Sequence, residues 1–179
     1  MRKITLNQLK ALAMDAMDAK DSIDHIYLHW SAGHYGQFFS DYHINIDSDG
    51  SIYVSTNDLT EVKAHTWRRN TGSIGVTLAC CAFATSDDLG SEPPTDAQIE
   101  CMAMVTATLC KYLDIPCDIY HVMTHGEAGD NVDGGTAYTP YGQNTTCERW
   151  DLAILRNGDT WGSGGDALRG KANFYINQV

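Results

Sequence analysis

The stretch IYLHWSAGHYGQFFSDYH, Ile26 to His43, places three of the chain's seven histidines around a strand end and a glycine turn. His29 lies near the end of an apolar, partly alternating run from Ile23 to Trp30, which predicts a strand. His125 follows a second such run, Asp118 to Met123. Strand ends open onto the crevice where open α/β sheets bind ligands. Cys147 comes after a stretch rich in Gly, Asp and Asn, Gly126 to Gln143, which reads as a long loop able to return to that crevice. Two neutral imidazoles and a soft thiolate with an open fourth position form the donor set of a catalytic zinc site. Spacing alone does not single out this triple, because seven histidines and six cysteines offer many others. Surface histidines and a buried thiol remain the plainer reading. His121 is the rival ligand, sharing a face with His125 in helix or strand, although its deeper position suits packing. No GxSxG or Cys-His nucleophile motif competes.

The elements that must position these groups are legible in outline. Thr5-Leu6-Asn7-Gln8 is a capping-box pattern opening a helix to about Lys20. Tyr42 to Ser55 predicts a hairpin, YHINI and SIYVS, turning at Gly50. His43 alternates with Tyr42 and should point away from it. Ser73 to Ala82 is apolar enough for a strand buried on both faces. A second capping box at Thr95 starts a helix whose face is Ile99, Met102, Thr106, Leu109 and Leu113. CERWDLAIL predicts a short helix, and Asn157 to Gly170 a loose glycine-rich tail. Helices and strands alternate, so the class is α/β: one domain, a central mixed β-sheet flanked by α-helices. Within it Met1–Ser22 is an N-terminal helix segment, Ile23–Asn157 the body and Gly158–Val179 a short C-terminal tail.

Composition narrows the partners. A formal net charge of −11 argues against nucleic acid and against anionic lipid, both of which need a basic surface. No apolar run follows Met1-Arg2-Lys3, so no signal peptide or membrane insertion is expected, and synthesis in the cytoplasm is. No CxxC occurs, and five of the six cysteines read as reduced packing residues, Cys147 excepted.

Six ordered stretches, IYLHWSAG, SDYHINIDSDGSIY, AHTWRRNTGSIGVTL, PTDAQ, VMTHGEA and CERWDL, change the balance between these readings. Together they resemble the zinc N-acetylmuramoyl-L-alanine amidases of the phage-lysozyme and peptidoglycan-recognition-protein superfamily, over about Ile26 to Leu155. The resemblance implies an amidase-like fold, zinc as cofactor and peptidoglycan as substrate. It matches His29 to the first zinc ligand, His125 to the second and Cys147 to the third, in a motif that usually reads Cys-Pro-x-aromatic-Asp. Here Glu148 replaces the proline and Trp150 is the aromatic. Tyr42 matches a tyrosine whose hydroxyl points into the site, and His65 a histidine near the substrate groove. Thr145 stands where members carry lysine or threonine, whereas Thr77 stands where some carry a glutamate. Glu127 is a candidate to hydrogen-bond a metal-bound imidazole, or else a solvated carboxylate. Trp67 and Arg68, with Arg69 and Asn70, could steer an anionic peptide stem or simply be solvated.

The implied reaction is hydrolysis of the amide between the muramic acid lactyl group and L-alanine. Zinc would activate water, and Tyr42, with Thr145, would hold the oxyanion. A non-catalytic peptidoglycan-binding module and a zinc peptidase acting on the stem peptide are the alternatives. Without a signal peptide, action on the cell wall requires release by a holin or another route, as for a phage or prophage endolysin. The Gly126–Thr146 stretch, with Tyr138 and Tyr141, suits a flexible wall over the groove or an insertion without function.

Overall fold

The structure is a computed structural model, and it describes residues 1–19, 23–85, 88–130 and 150–179. Six strands, β1 (Arg2–Ile4), β2 (His25–Trp30), β3 (Ile44–Ile46), β4 (Ile52–Val54), β5 (Ser73–Leu78) and β6 (Val122–Thr124), form one sheet in the order β1-β4-β3-β5-β2-β6. β3, β5, β2 and β6 run parallel, and β4 and β1 add an antiparallel edge. Four helices accompany the sheet: α1 (Leu6–Asp18), α2 (Asp96–Tyr112), α3 (His125–Gly129) and α4 (Ser163–Tyr175). The mixed α/β architecture is the expected one. Among the described residues, no helix is long and apolar enough to cross a membrane.

Both capping boxes form, Thr5 with Gln8 and Thr95 with Gln98, each satisfying two otherwise unpaired backbone N–H groups. α2 is held by its inner face: Ile99, Met102, Val105 and Leu109 are fully buried. Burial of such side chains stabilises by roughly 1.5–3 kcal/mol each, far more than helix propensity supplies. Gly50, at φ +80°, makes the hairpin turn where a side chain would be strained.

Alternation in β2 separates core from site. Ile26, Leu28 and Trp30 enter the main core, whereas Tyr27 packs with Met123 and Ala128 on the other face. His29 lies on that second face. Five cysteines are described, all free, and four of them are buried.

Four sequence expectations need correction. The strand expected over Asp118–Met123 starts only at Val122, because the Asp118 carboxylate accepts from the N–H groups of Tyr120 and His121 and turns the chain. Gly126–Gly129, expected in a loop, belongs to α3, closed by a third capping box of Thr124 and Glu127. The described part of CERWDLAIL, from Trp150, is a series of turns, and Leu152 at φ +61° is incompatible with a helix. The glycine-rich tail instead contains α4, whose Leu168, Arg169 and Ala172 are buried. Residues 131–149, with Thr145, Cys147, Tyr138 and Tyr141, lie outside the described residues.

His43 shows how the second face is tied together. It is fully buried, accepts from the Gly75 N–H at Nδ1 (3.0 Å) and donates from Nε2 to the Glu61 carbonyl (2.7 Å). Burial depresses its pKa to about 4, with the Glu61 hydrogen bond opposing the shift. An unfolded histidine titrates near 6.5, so the unfolded chain binds the extra proton first as pH falls. The contribution is therefore complete above about pH 6.5 and lost on going down toward pH 4. Urea unfolding of metal-free protein at pH 7 and pH 4.5 should show native protein losing about 2–3 kcal/mol more than His43→Gln. Equal losses would show that His43 is not the buried neutral group described.

Candidate metal centre

His29 is the fifth residue of β2, and its side chain is completely buried. β6 pairs with β2 in parallel, Leu28 beside Thr124, so the residue after each strand position, His29 and His125, falls at the same sheet end. His125 opens α3, and the Gly126 N–H donates to the Asp151 carbonyl (3.2 Å), which docks the 150–155 segment beside it. These three elements bring three donor atoms together. His29 Nδ1 is 2.9 Å from His125 Nδ1 and 3.1 Å from Asp151 Oδ2. His125 Nδ1 is 3.3 Å from Asp151 Oδ1. Among the described residues this is the one group of three or more His, Cys, Asp or Glu side chains placed to hold a metal ion.

The donor set fits zinc. Bonds of ~2.0–2.1 Å in a tetrahedron put ligand atoms ~3.3 Å apart, close to the spacings found. Burial alone would raise the Asp151 carboxyl. Protonated His125 and then His29 pull it well below the usual carboxylate range, so the carboxylate depends on positive charge beside it.

A chain of hydrogen bonds assigns the proton of His29. Ser73 Oγ donates to the carbonyls of Arg69 and Asn70 (2.7 and 3.0 Å), so it can only accept from His65 Nε2 (3.4 Å). His65 Nδ1 then accepts from Thr66 Oγ1 (2.9 Å), which in turn accepts from His29 Nε2 (3.4 Å). His29 Nδ1 is left unprotonated, its lone pair directed at His125 and Asp151. Holding the distal nitrogen in this way is how proteins fix the tautomer of a metal-ligating histidine. Burial first, then the neighbouring histidines, depress the His65 pKa to about 2, so that ring is neutral too.

The other sequence candidates fall around this centre. His65 is buried, with its ring centroid 5.5 Å from that of His29. Gly75 makes room for it, since a Cβ there would sit 2.6 Å from the ring. Tyr42 lies in the bend before β3, its ring centroid 4.9 Å from His29. Trp67 and Arg68 are exposed, the guanidinium 5.8 Å over the indole. Thr77 is the register partner of His29 on β5. His121 pairs with Asp118 (2.7 Å) and stacks on His25, outside the cluster. Glu127 does neither job expected of it. Its carboxylate caps Thr124 N (2.8 Å) and takes both Arg169 nitrogens (2.7 Å each). The Cys147 and Thr145 expectations fall outside the described residues.

Two residues of this candidate centre are not legible as such in the sequence, Asp151 and Thr66. Asp151 had a signal: an acid inside the apolar run Trp150–Leu155 must be paired if buried. Thr66 had none, because its role exists only once the loop lies against His29.

A family model described as N-acetylmuramoyl-L-alanine amidase matches residues 8–149. The chain belongs to that family. No curated protein matches it. Membership makes the chain an enzyme, an amidase acting on peptidoglycan, and the His29–His125–Asp151 cluster could serve it as a metal centre. The match ends before Asp151 and α4, so the third donor is read from the geometry alone.

Thr66→Val keeps the shape of the side chain and removes the hydroxyl that orders His29. Zinc affinity, measured by competition with a chelating indicator, should fall about 10-fold, the lower end for loss of a partner that orients a ligand. Unchanged affinity would break the proposed hydrogen-bond chain.

Proposed function

We propose that the protein is a zinc hydrolase that cleaves the amide between N-acetylmuramic acid and L-alanine in peptidoglycan. The observation carrying this reading is the convergence of His29 Nδ1, His125 Nδ1 and the Asp151 carboxylate within 3.3 Å in a chain of the amidase family. His29, His125 and Asp151 are the ligands proposed on this geometry; Cys147, the third ligand expected from the sequence, lies outside the described residues. Bound there, zinc supplies a Lewis acid and lowers the pKa of water toward ~7.

The chain's own residues do the rest. Thr66 and His65 keep the His29 ring in one tautomer and orientation. The Tyr42 phenol, beside His29, donates a hydrogen bond to the carbonyl oxygen as negative charge builds on it. Thr145 is the second candidate for that donor. The alanine amine leaves with a proton drawn from the attacking water. The exposed Trp67–Arg68 pair offers an apolar ring and a cation to the stem peptide, whose carboxylates are anionic.

Mass spectrometry of muropeptides after digestion tests the bond. Free stem peptides with L-alanine amino termini and intact glycan strands are expected. New reducing ends, or cuts between stem residues, would contradict the reading. Tyr42→Phe should lower kcat by about 10²-fold at near-normal zinc content and KM, since the lost bond strengthens mainly in the transition state. A fully active Tyr42→Phe would remove the phenol from the site.

A further inference from the structure

We infer that the start of α4, through Gly164, Gly165 and Arg169, is the positioning element that sets His125 and Asp151 at metal-binding distance. This inference rests on the ligand set proposed above. The family match stops at residue 149, so nothing in it assigns α4 a role.

α4 touches the chain just beyond each of these two ligands. On the Asp151 side, the N–H groups of Gly162 and Gly164 both donate to the Ala153 carbonyl (2.9 and 3.2 Å). A Cβ on Gly164 would lie 1.9 Å from the Leu152 carbonyl oxygen, so no other residue lets the helix approach this closely. Leu152 itself sits at φ +61°, a left-handed conformation that a leucine adopts only where its surroundings impose it. That bend follows Asp151 directly and is closed from beneath by α4.

On the His125 side, a Cβ on Gly165 would lie 2.2 Å from Glu127 Oε1. The carboxylate has nowhere to retreat. Arg169 grips both of its oxygens at 2.7 Å, and the Thr124 N–H holds Oε2 at 2.8 Å. Arg169 also donates to the Val122 carbonyl (2.9 Å) on β6, so it fixes the strand and the helix that flank His125. The Gly126–Asp151 backbone hydrogen bond (3.2 Å) closes the triangle.

Stability does not explain this arrangement. Glycine loses more conformational freedom on folding than any other residue, and two stand side by side here. A buried arginine–glutamate pair often adds nothing over apolar packing of the same volume. What the arrangement does supply is a fixed separation between the segments carrying the two ligands.

Gly165→Ala and Arg169→Lys test the inference, with Gly170→Ala as control, because a Cβ at Gly170 meets nothing within 4 Å. Each variant is assayed for melting of the metal-free protein, zinc dissociation constant by chelator competition, and the visible spectrum of the cobalt-loaded form. The zinc dissociation constant should rise at least about 10-fold in Gly165→Ala and Arg169→Lys, with an altered cobalt spectrum, and stay native in Gly170→Ala. Variants that melt earlier yet keep native zinc affinity and cobalt spectrum would overturn the inference and make α4 a stabilising element only. Should Gly165→Ala not fold, Glu127→Leu combined with Arg169→Met restores apolar packing, and the same weakening is expected of it. Asp151→Ala tests the ligand set separately. If it keeps zinc, or native protein binds none, the ligand set and the inference both fall; if only the α4 variants behave as native, the inference alone does.

Discussion

Two imidazole nitrogens and a carboxylate, drawn out of water to within 3.3 Å of one another, need positive charge between them, whether a proton or a metal ion. The nitrogen lone pair of His29 and the anionic oxygens of Asp151 repel if nothing positive stands among them, and burial removes the solvent that would screen that repulsion. The site is an electrostatic conflict that a divalent ion could resolve. The rest of the second sheet face serves to hold the conflict in place.

Parallel strands supply the first level of that hold. β2 and β6 end side by side, which puts His29 and His125 at neighbouring positions without any loop having to find them. β5, on the other side of β2, carries Gly75, whose missing side chain admits the His65 ring against His29. The hydroxyls of Ser73 and Thr66 then settle the protons of both rings. The 150–155 turns supply the carboxylate, and α4 closes over the segments that follow His125 and Asp151. Core packing on one face and site geometry on the other are thus set by the same strands.

Much of this was legible in the sequence because it is local. Capping boxes at Thr5 and Thr95, the hairpin turn at Gly50 and the apolar run of β5 each depend on neighbours within a few residues. His29 and His125 could be placed at strand ends for the same reason. The third donor was harder, since Asp151 gains meaning only when a segment 122 residues away in sequence folds against His29. Glycines misled the reading of α4. Gly164 and Gly165 read as looseness, whereas in three dimensions they are the residues that permit close approach to Leu152 and Glu127. The spacing of Glu127 from His125 points to a metal-site role, and only the fold reveals Arg169 as its partner.

X-ray absorption spectroscopy at the zinc edge of the metal-loaded protein distinguishes an Asp151 donor from a thiolate. One zinc per chain is expected, with only nitrogen and oxygen scatterers at ~2.0–2.1 Å, two of them imidazole. A sulfur shell at ~2.3 Å would contradict it and return the third ligand to Cys147.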